Sequence, residues 1–493
     1  MAMKTVVLAA ALSTVARLTA AQFPPAAVHI TSFNSSFILT PAQIEAGQLD
    51  NDQVETIQNI VRFDQSQCAF GGPLEDEFYT LPPLTNGTAL EPGLVLKVQA
   101  FTDPTAYALP PNTALSRIMY TSLNFNGTVV PATGFILWPF TPRKTHTAGS
   151  RNSTPPDKLS TIVWAHGTSG FFAPQAPSAH RSLWYGYSAP FALAQAGYAV
   201  FAPDFAGLGV GKSWDGTEIP HQYHANLAAA RDSLYGFEAA VKSFPERLVG
   251  NFVAMGHSQG GATAWAIAEA MVSDEFAHLQ QSYKGSIPAS PTTNFLASPP
   301  TEFMLATSGL MLHSIFPTFT LEDWLTPIGA ARLRLYREIQ GGISVLIQLI
   351  LTRTDIVREN WDRTWYAAAF SKLDVGGNDF RGPLLVLQGS DDSRVLYNLT
   401  LAAVAETSVL FPDRDLEFMV ASGVGHNPVL EATQHLWMQW IHDRFDGRPL
   451  AKAGSFRTDV ESFLPIQQYQ STGNSFPLWA GLPEYSYEVP LSV

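Results

Sequence analysis

Residues 251–261 read Asn-Phe-Val-Ala-Met-Gly-His-Ser-Gln-Gly-Gly and form the most informative pattern in the chain. An apolar run that predicts a strand leads into a glycine-rich turn, and an alanine-rich segment that predicts a helix follows at once. The turn matches the motif G-x-S-x-G in the strand, turn and helix context of a nucleophile elbow. Glycines two residues before and after the serine let the backbone cross over itself without a Cβ clash. The motif consists of Gly256, His257, Ser258, Gln259 and Gly260.

The motif predicts a reactive hydroxyl at Ser258, held in a strained turn at a helix N-terminus where the helix dipole favours developing negative charge. A serine hydroxyl is a weak nucleophile near neutral pH, so it needs an adjacent base that a carboxylate orients. Both partners follow predicted strands further along the chain, because Asp391 and Asp392 come after residues 384–387 and His426 comes after residues 416–420. Ligands of open α/β sheets bind beyond such strand ends. Spacing alone does not choose between the two aspartates.

An oxyanion formed at Ser258 needs two backbone N–H donors. The residue after the nucleophile, Gln259, supplies the first donor. The loop after residues 161–165 supplies the second, which we assign to Thr168, with Gly167 as the alternative.

Short apolar runs alternate with helical patterns around the motif. Several runs are apolar on both faces, as expected for parallel strands that helices cover on both sides. The alternation predicts an α/β protein with a mostly parallel central sheet, flanking helices and right-handed crossovers. The predicted strands are residues 118–123, 132–138, 161–165, 199–202, 251–255, a segment near 285, 384–387 and 416–420, and the predicted core helices are 222–244, 258–272 and 428–445.

The remaining segments suggest five regions. Residues 296–379 carry helical patterns and a large hydrophobic load without a convincing strand, which favours an inserted helical cap. This region is called the cap segment below. The expected organisation is a signal peptide (1–21), an irregular N-terminal extension (22–115), an α/β core (116–295 and 380–448), the cap segment (296–379) and a C-terminal surface flap (449–493).

Residues 1–21 have the layout of a secretory signal peptide, with a positive start, an apolar stretch of 12 residues and a small-residue cleavage site. We therefore expect a secreted, extracellular protein without a transmembrane segment. Cys68 is the single cysteine, so no intrachain disulfide forms, and a buried inert thiol is the simplest role for it. Five N-x-S/T triplets are candidate N-glycosylation sites. They begin at Asn34, Asn86, Asn126, Asn152 and Asn398.

Composition excludes several classes of protein. The chain has 493 residues, of which 46% are hydrophobic and 14% charged, so it is neither disordered nor a coiled coil. Its 42 acidic residues outnumber 29 Lys and Arg, giving a net charge of −13 without a basic cluster, so nucleic acid is not an expected partner. No metal-binding spacing, dinucleotide motif or phosphate loop occurs in a suitable context, so neither metal nor cofactor is expected.

The stretches VWAHGTSG (163–170), GYAVFAPDFAGLGVG (197–211) and GHSQGGATA (256–264) resemble the secreted lipase and esterase branch of the α/β-hydrolase superfamily, including fungal lipase A enzymes and actinobacterial relatives. The likeness covers roughly residues 116–265. It implies an α/β-hydrolase fold, a lid over an acyl pocket, Ser258 as nucleophile and His426 as base. The family pattern G-x-x-D-x-x-V aligns with Gly389 to Val395 and implies Asp392 as the acid.

We therefore expect a lipase or carboxylesterase that acts on a small-molecule or lipid ester and touches lipid interfaces transiently through the cap segment. An acyl transferase or peptidase on the same scaffold, or a non-catalytic hydrolase-like binding protein, remains an alternative. The candidates for the acyl pocket are aromatic. They are Phe171, Phe172, Phe205 and Trp265, with Trp184 as a further possibility.

Overall fold

The computed structural model describes residues 35–84, 90–143 and 158–470, and the proposed signal peptide lies outside these ranges. Within them, ten strands form one sheet with the order β1-β2-β3-β5-β4-β6-β7-β8-β9-β10. The strands are β1 (Val95–Gln99), β2 (Ala114–Leu123), β3 (Val129–Trp138), β4 (Leu159–Ala165), β5 (Ala199–Pro203), β6 (Leu248–His257), β7 (Tyr283–Ala289), β8 (Leu384–Gly389), β9 (Leu416–Ala421) and β10 (Ser455–Val460).

The sheet is parallel from β5 through β4 to β10, whereas β1, β2, β3 and β5 pair antiparallel. This confirms the predicted mostly parallel α/β sheet, and each predicted strand lies within an observed one. The helices are α1 (Pro41–Gly47), α2 (Asn51–Ser66), α3 (Pro190–Gln195), α4 (Asn226–Ser243), α5 (Gln259–Ala270), α6 (Thr301–Ile315), α7 (Pro327–Ile339), α8 (Ile343–Ile350), α9 (Trp365–Phe370), α10 (Tyr397–Leu410), α11 (Val429–Ala432) and α12 (Gln434–Phe445).

Alternation along β4 divides the core into two layers. Successive side chains of a strand point to opposite faces of the sheet. Val163 belongs to the same buried cluster as Trp265 of α5, whereas Trp164 belongs to the cluster that contains Trp437 of α12. All seven residues of β4 are buried, since helices cover both faces of the sheet.

The cap segment connects β7 to β8, which are neighbours in the sheet. It contains α6, α7, α8 and α9 and, within the described residues, no named strand. Its apolar side chains belong to a buried cluster in which Trp324, Leu333 and Leu346 are fully buried. The cluster also includes residues outside the cap segment, such as Ile60 of α2 and Phe171, and it is separate from the two layers on the sheet.

The N-terminal extension differs from the sequence expectation. We expected residues 22–115 to be irregular, and this is wrong for residues 41–66, which form α1 and α2. Short polar cap motifs at Thr40 and Asp50 start these helices, and their apolar faces pack on α7 and α8 of the cap segment. Strand β1 and the start of β2 also lie within this region. At the other terminus, the expected surface flap contains β10, which extends the sheet beyond β9.

Arg332 of α7 joins the N-terminal helices to the cap segment. Its side chain is buried and donates hydrogen bonds to the carbonyls of Gly47 (2.8 Å), Gln48 (3.2 Å) and Leu349 (2.8 Å). These carbonyls lie at the C-terminal ends of α1 and α8, where a helix leaves its last acceptors unpaired. One guanidinium therefore caps two helices that are far apart in sequence.

None of the helices in the described ranges combines the length and the apolar character needed to cross a bilayer.

Replacing Arg332 by Met should destabilise the protein by about 3 kcal/mol, because several buried carbonyls lose a charged donor at once. Arg334→Met is the matched control, since Arg334 lies on the same helix but is exposed and pairs only with Glu322. An exposed ion pair contributes less than about 1 kcal/mol. Urea unfolding of both variants measures the difference, and equal midpoints would contradict the capping role of Arg332.

Candidate active site

The turn between β6 and α5 holds Ser258 in a left-handed backbone conformation, with φ 59° and ψ −118°. Two glycines make this conformation accessible. A Cβ at Gly256 would lie 2.1 Å from the carbonyl oxygen of Gly260, and a Cβ at Gly260 would lie 1.9 Å from that of Ala165. The Ser258 N–H donates to the carbonyl of Ala289 at 2.9 Å, which anchors the turn to β7. Ser258 is half-buried, whereas the residues on either side of it are buried.

The loops after β8 and β9 bring an imidazole to a carboxylate. His426 Nδ1 lies 2.8 Å from Asp392 Oδ2, and the Asp392 side chain is fully buried. The N–H groups of Arg394 (3.0 Å) and Val395 (2.9 Å) donate to the other carboxylate oxygen. Because Nδ1 donates to Asp392, Nε2 of His426 carries the lone pair and can accept a proton.

Burial opposes the charged form of Asp392, but the hydrogen bond from His426 and the backbone donors outweigh it and lower the pKa of this carboxyl below its usual value. The carboxylate therefore stays ionised and can orient the imidazole. Asp391, the alternative left open by spacing, is exposed, and its backbone N–H donates to the carbonyl of Val424. The geometry pairs Asp392, not Asp391, with His426.

His257 connects the elbow to His426. Its Nε2 donates to the carbonyl of His426 at 2.9 Å, and the two ring centroids lie 4.5 Å apart. Burial lowers the pKa of His257 to about 3, so the ring is neutral near pH 7. The contact holds the backbone of His426 against the residue next to Ser258, so the elbow, His426 and Asp392 belong to one cluster.

The two assigned oxyanion donors lie at the ends of neighbouring strands. Gln259 begins α5, and Thr168 follows β4, which pairs directly with β6. Among the described residues, neither backbone N–H has a hydrogen-bond partner. The Thr168 hydroxyl shares a hydrogen bond of 2.7 Å with the hydroxyl of Tyr223. Gly167 lies close to Tyr185, whose hydroxyl would be 2.7 Å from a Cβ at this position.

The acyl-pocket candidates fall into two groups. Phe171 and Phe172 follow the Thr168 loop and pack on Tyr336 of the cap segment, with ring centroids 6.2 and 5.0 Å apart. Phe205 and Trp265 are fully buried in the core, Phe205 between two histidine rings and Trp265 beneath the sheet. Both rings pack in the core, and their part in an acyl pocket stays a prediction.

Tyr223 and Tyr185 contact the Thr168 loop or the elbow and had no signal in the sequence, since only the folded chain brings them to the site. Trp184 was considered only as a possible acyl-pocket residue, and its hydrogen bond to the Thr168 loop was not predicted. Of the candidate glycosylation sites, Asn126 and Asn398 are exposed, whereas Asn34, Asn86 and Asn152 lie outside the described residues.

Across the part of the chain that the structure describes, no group of three or more His, Cys, Asp or Glu side chains is arranged to hold a metal ion. The chemistry available to the cluster is that of a hydroxyl, an imidazole, a carboxylate and backbone donors.

Comparisons with solved structures find the same architecture in Candida antarctica lipase A. The TM-score is 0.59 over 85% of this chain and 95% of that chain, at 16% sequence identity, and the closed state of the same lipase gives 0.57 at 17% identity over the same shares. The rice cell wall degrading esterase LipA from Xanthomonas oryzae matches with a TM-score of 0.50 over 72% of this chain and 97% of that chain, at 16% identity. These likenesses concern the fold.

A sequence comparison with curated proteins gives no match. The model of the alpha/beta hydrolase family matches residues 162–438, which is more than half of the chain and includes Ser258, Asp392 and His426. The chain belongs to the alpha/beta hydrolase family.

Proposed function

We propose that the protein is a secreted serine hydrolase that cleaves carboxylic esters, as a lipase or carboxylesterase. The observation that carries the proposal is the hydrogen bond of 2.8 Å from His426 to the buried Asp392, next to the strained turn that presents Ser258. A nucleophile, an orienting acid and a base, in this order along the chain, are the parts of a catalytic triad.

The proposed reaction proceeds through an acyl-enzyme. His426 Nε2 accepts the proton of Ser258 as the hydroxyl oxygen attacks the ester carbonyl, and Asp392 stabilises the imidazolium that forms. The N–H groups of Gln259 and Thr168 stabilise the negative charge on the tetrahedral intermediate. His426 then protonates the departing alcohol, and water activated by the same imidazole releases the acid.

The cap segment supports a substrate with a hydrophobic part. Phe171 and Phe172 connect the Thr168 loop to its apolar cluster, so an acyl chain near Ser258 would meet aromatic side chains. On the outer side, Trp365 of α9 is 65% exposed and packs on Phe316. We propose that the cap segment acts as a lid and that this aromatic pair contacts a lipid interface.

Export to the extracellular space rests on the pattern of residues 1–21, with cleavage before Gln22. Asn126 and Asn398 are exposed and would be accessible to a glycan. N-terminal sequencing and glycosidase treatment of the secreted protein test both points.

The central test is turnover of p-nitrophenyl esters, emulsified triglyceride and peptide amides, together with labelling by a fluorophosphonate. We expect ester hydrolysis and a single label on Ser258. Ser258→Ala should abolish labelling and lower kcat by about 10⁵-fold or more, because the residual rate comes only from binding and the oxyanion donors. Ser243→Ala, a helix serine bonded to the carbonyl of Ala239, should change neither.

Other results of this test would overturn the proposal in defined ways. Turnover restricted to amides would indicate a peptidase, and transfer to an added alcohol without hydrolysis would indicate an acyl transferase. A protein that is neither labelled nor active would be a non-catalytic binding protein.

Asp392→Asn should lower kcat by roughly 10⁴-fold, because the amide no longer holds His426 in the required tautomer. Asp391→Asn is the matched control and should change kcat less than about 2-fold, since its side chain is exposed. Steady-state kinetics of the two variants on one soluble ester measure the difference. The reverse pattern would assign the orienting acid to Asp391.

Trp365→Ala should reduce the rate on emulsified triglyceride about 5-fold and leave turnover of a soluble short-chain ester unchanged, because the indole contributes to binding at the interface and not to the chemistry. Phe101→Ala, which removes another exposed aromatic ring outside the cap segment, should affect neither rate. Equal loss on both substrates would contradict an interfacial role for Trp365.

A further inference from the structure

Leu183, Trp184 and Tyr185 form an unusual turn. All three have a left-handed backbone, with φ of 54°, 40° and 68°, and all three are buried. A left-handed backbone raises the conformational energy by roughly 1–2 kcal/mol for each residue that carries a Cβ. Such strain persists only where the surrounding structure imposes it, and it concentrates at functional sites.

The first contact of this turn fixes the Thr168 loop. The Trp184 indole N–H donates to the carbonyl of Gly167 at 3.1 Å, and His166 Nδ1 donates to the same carbonyl at 2.7 Å. Burial lowers the pKa of His166 to about 4, so the neutral ring has one N–H. We assign this N–H to Nδ1, because Nε2 lies farther from its neighbour, at 3.3 Å from the carbonyl oxygen of Asp204. The Gly167 carbonyl therefore accepts from two buried donors.

This arrangement determines where the neighbouring N–H points. The carbonyl of Gly167 and the N–H of Thr168 belong to one planar trans peptide, in which the two groups point in opposite directions. Holding the carbonyl in the interior therefore directs the Thr168 N–H outward, away from Trp184 and His166. The indole acts on the oxyanion donor through the peptide plane and not by contact with substrate.

The second contact of this turn connects Tyr185, through His257, to the backbone of the proposed base His426. The Tyr185 hydroxyl donates to His257 Nδ1 at 3.2 Å, and His257 Nε2 donates to the carbonyl of His426 at 2.9 Å. Neutral His257 has one acceptor and one donor, which this chain of hydrogen bonds uses completely. The same hydroxyl packs against Gly167. One turn thus contacts the oxyanion loop, the elbow and, through His257, the backbone of His426.

We propose that Trp184 and Tyr185 are positioning residues that align the oxyanion donor of Thr168 and the base His426 with Ser258 before substrate binds. This inference rests on the proposed function for its kinetic consequences, but the alignment itself is a property of the unliganded protein. Preorganised donors of this kind stabilise the transition state more than the bound substrate.

The first test replaces Trp184 by Phe, which keeps an aromatic ring and removes the N–H. We expect kcat on a soluble ester to fall about 10-fold, with KM changed less than about 2-fold. Removal of an entire oxyanion donor lowers kcat by about 10²–10³-fold, whereas Trp184→Phe keeps the Thr168 N–H and only loosens its orientation. Affinity for an alkyl boronic acid, whose tetrahedral adduct occupies the oxyanion site, should fall in parallel. Trp138→Phe is the matched control, since the buried indole of Trp138 in β3 donates to the Ser116 hydroxyl in β2.

A readout without substrate separates this inference from the proposed function. Hydrogen exchange of the peptide covering residues 164–170 should be faster in Trp184→Phe than in the wild type and unchanged in Trp138→Phe. A wild type that neither hydrolyses esters nor reacts with a fluorophosphonate would refute the proposed function. In that case the hydrogen-exchange comparison alone would test whether Trp184 positions the Thr168 loop. If Trp184→Phe and Trp138→Phe have the same hydrogen-exchange rate in residues 164–170 and the same kcat, the proposal is overturned.

Tyr185→Phe decides the matter if Trp184→Phe does not fold, because it removes a single oxygen atom. We expect kcat about 5-fold lower, unchanged KM and faster exchange around His426. Tyr107→Phe is its control, since the buried Tyr107 hydroxyl donates to the carbonyl of Ser178 and to no residue of the catalytic cluster. Identical kinetics and exchange in the two tyrosine variants would contradict the positioning role of Tyr185.

Discussion

The structure depends on how closely the backbones of β4, β6, β7 and α5 approach each other at the elbow that holds Ser258. A Cβ at Gly256 or Gly260 would lie 2.1 or 1.9 Å from a carbonyl oxygen, far inside van der Waals contact, and a Cβ at Gly261 would lie 2.4 Å from the carbonyl oxygen of Ala289. Glycine is required here for its missing Cβ. The approach allows β4, β6, β7 and α5 to meet at one point, so Ser258 and the Thr168 loop face the same space.

The elements near this point were predictable from the sequence, and those remote from it were not. Two-sided apolar runs such as residues 161–165 identify strands because burial on both faces leaves little alternative. By contrast, α2 has an amphipathic pattern whose apolar face is covered by the cap segment, a partner almost 300 residues away. Strand β10 alternates between exposed and half-buried residues, so it carries no comparable apolar signal.

The site shows the same division. G-x-S-x-G and the strand ends lead to Ser258 and His426, and a family pattern was needed to prefer Asp392 over Asp391. The turn formed by Trp184 and Tyr185 could not be predicted, and Trp184 was considered only for the acyl pocket, because a left-handed turn in three residues with large side chains contradicts their local preferences. For Phe205 and Trp265 the pocket role stays a prediction, because an aromatic residue near a motif carries no mark that separates a pocket wall from core packing.

Burial and hydrogen bonding set the charges of the buried groups around Ser258. Burial lowers the pKa of His221 and of His257 to about 3, so these rings act as fixed neutral donors and acceptors. Asp392 keeps its charge through its hydrogen bonds. The Asp392 carboxylate accepts a hydrogen bond from His426 Nδ1, so the charged group of the cluster lies directly against the imidazole that we propose as the base.

The hydrogen bond from Arg332 to the carbonyl of Gly47 joins residues that are 285 positions apart in the sequence. This separation affects the order in which the parts of the chain can fold. As the polypeptide leaves the ribosome, α1 and α2 emerge early, but the helices that cover them are synthesised much later. Contacts of such large sequence separation form slowly, and the uncovered apolar surface favours aggregation in the meantime. We therefore expect the apolar faces of α1 and α2 to stay uncovered until the cap segment has been synthesised.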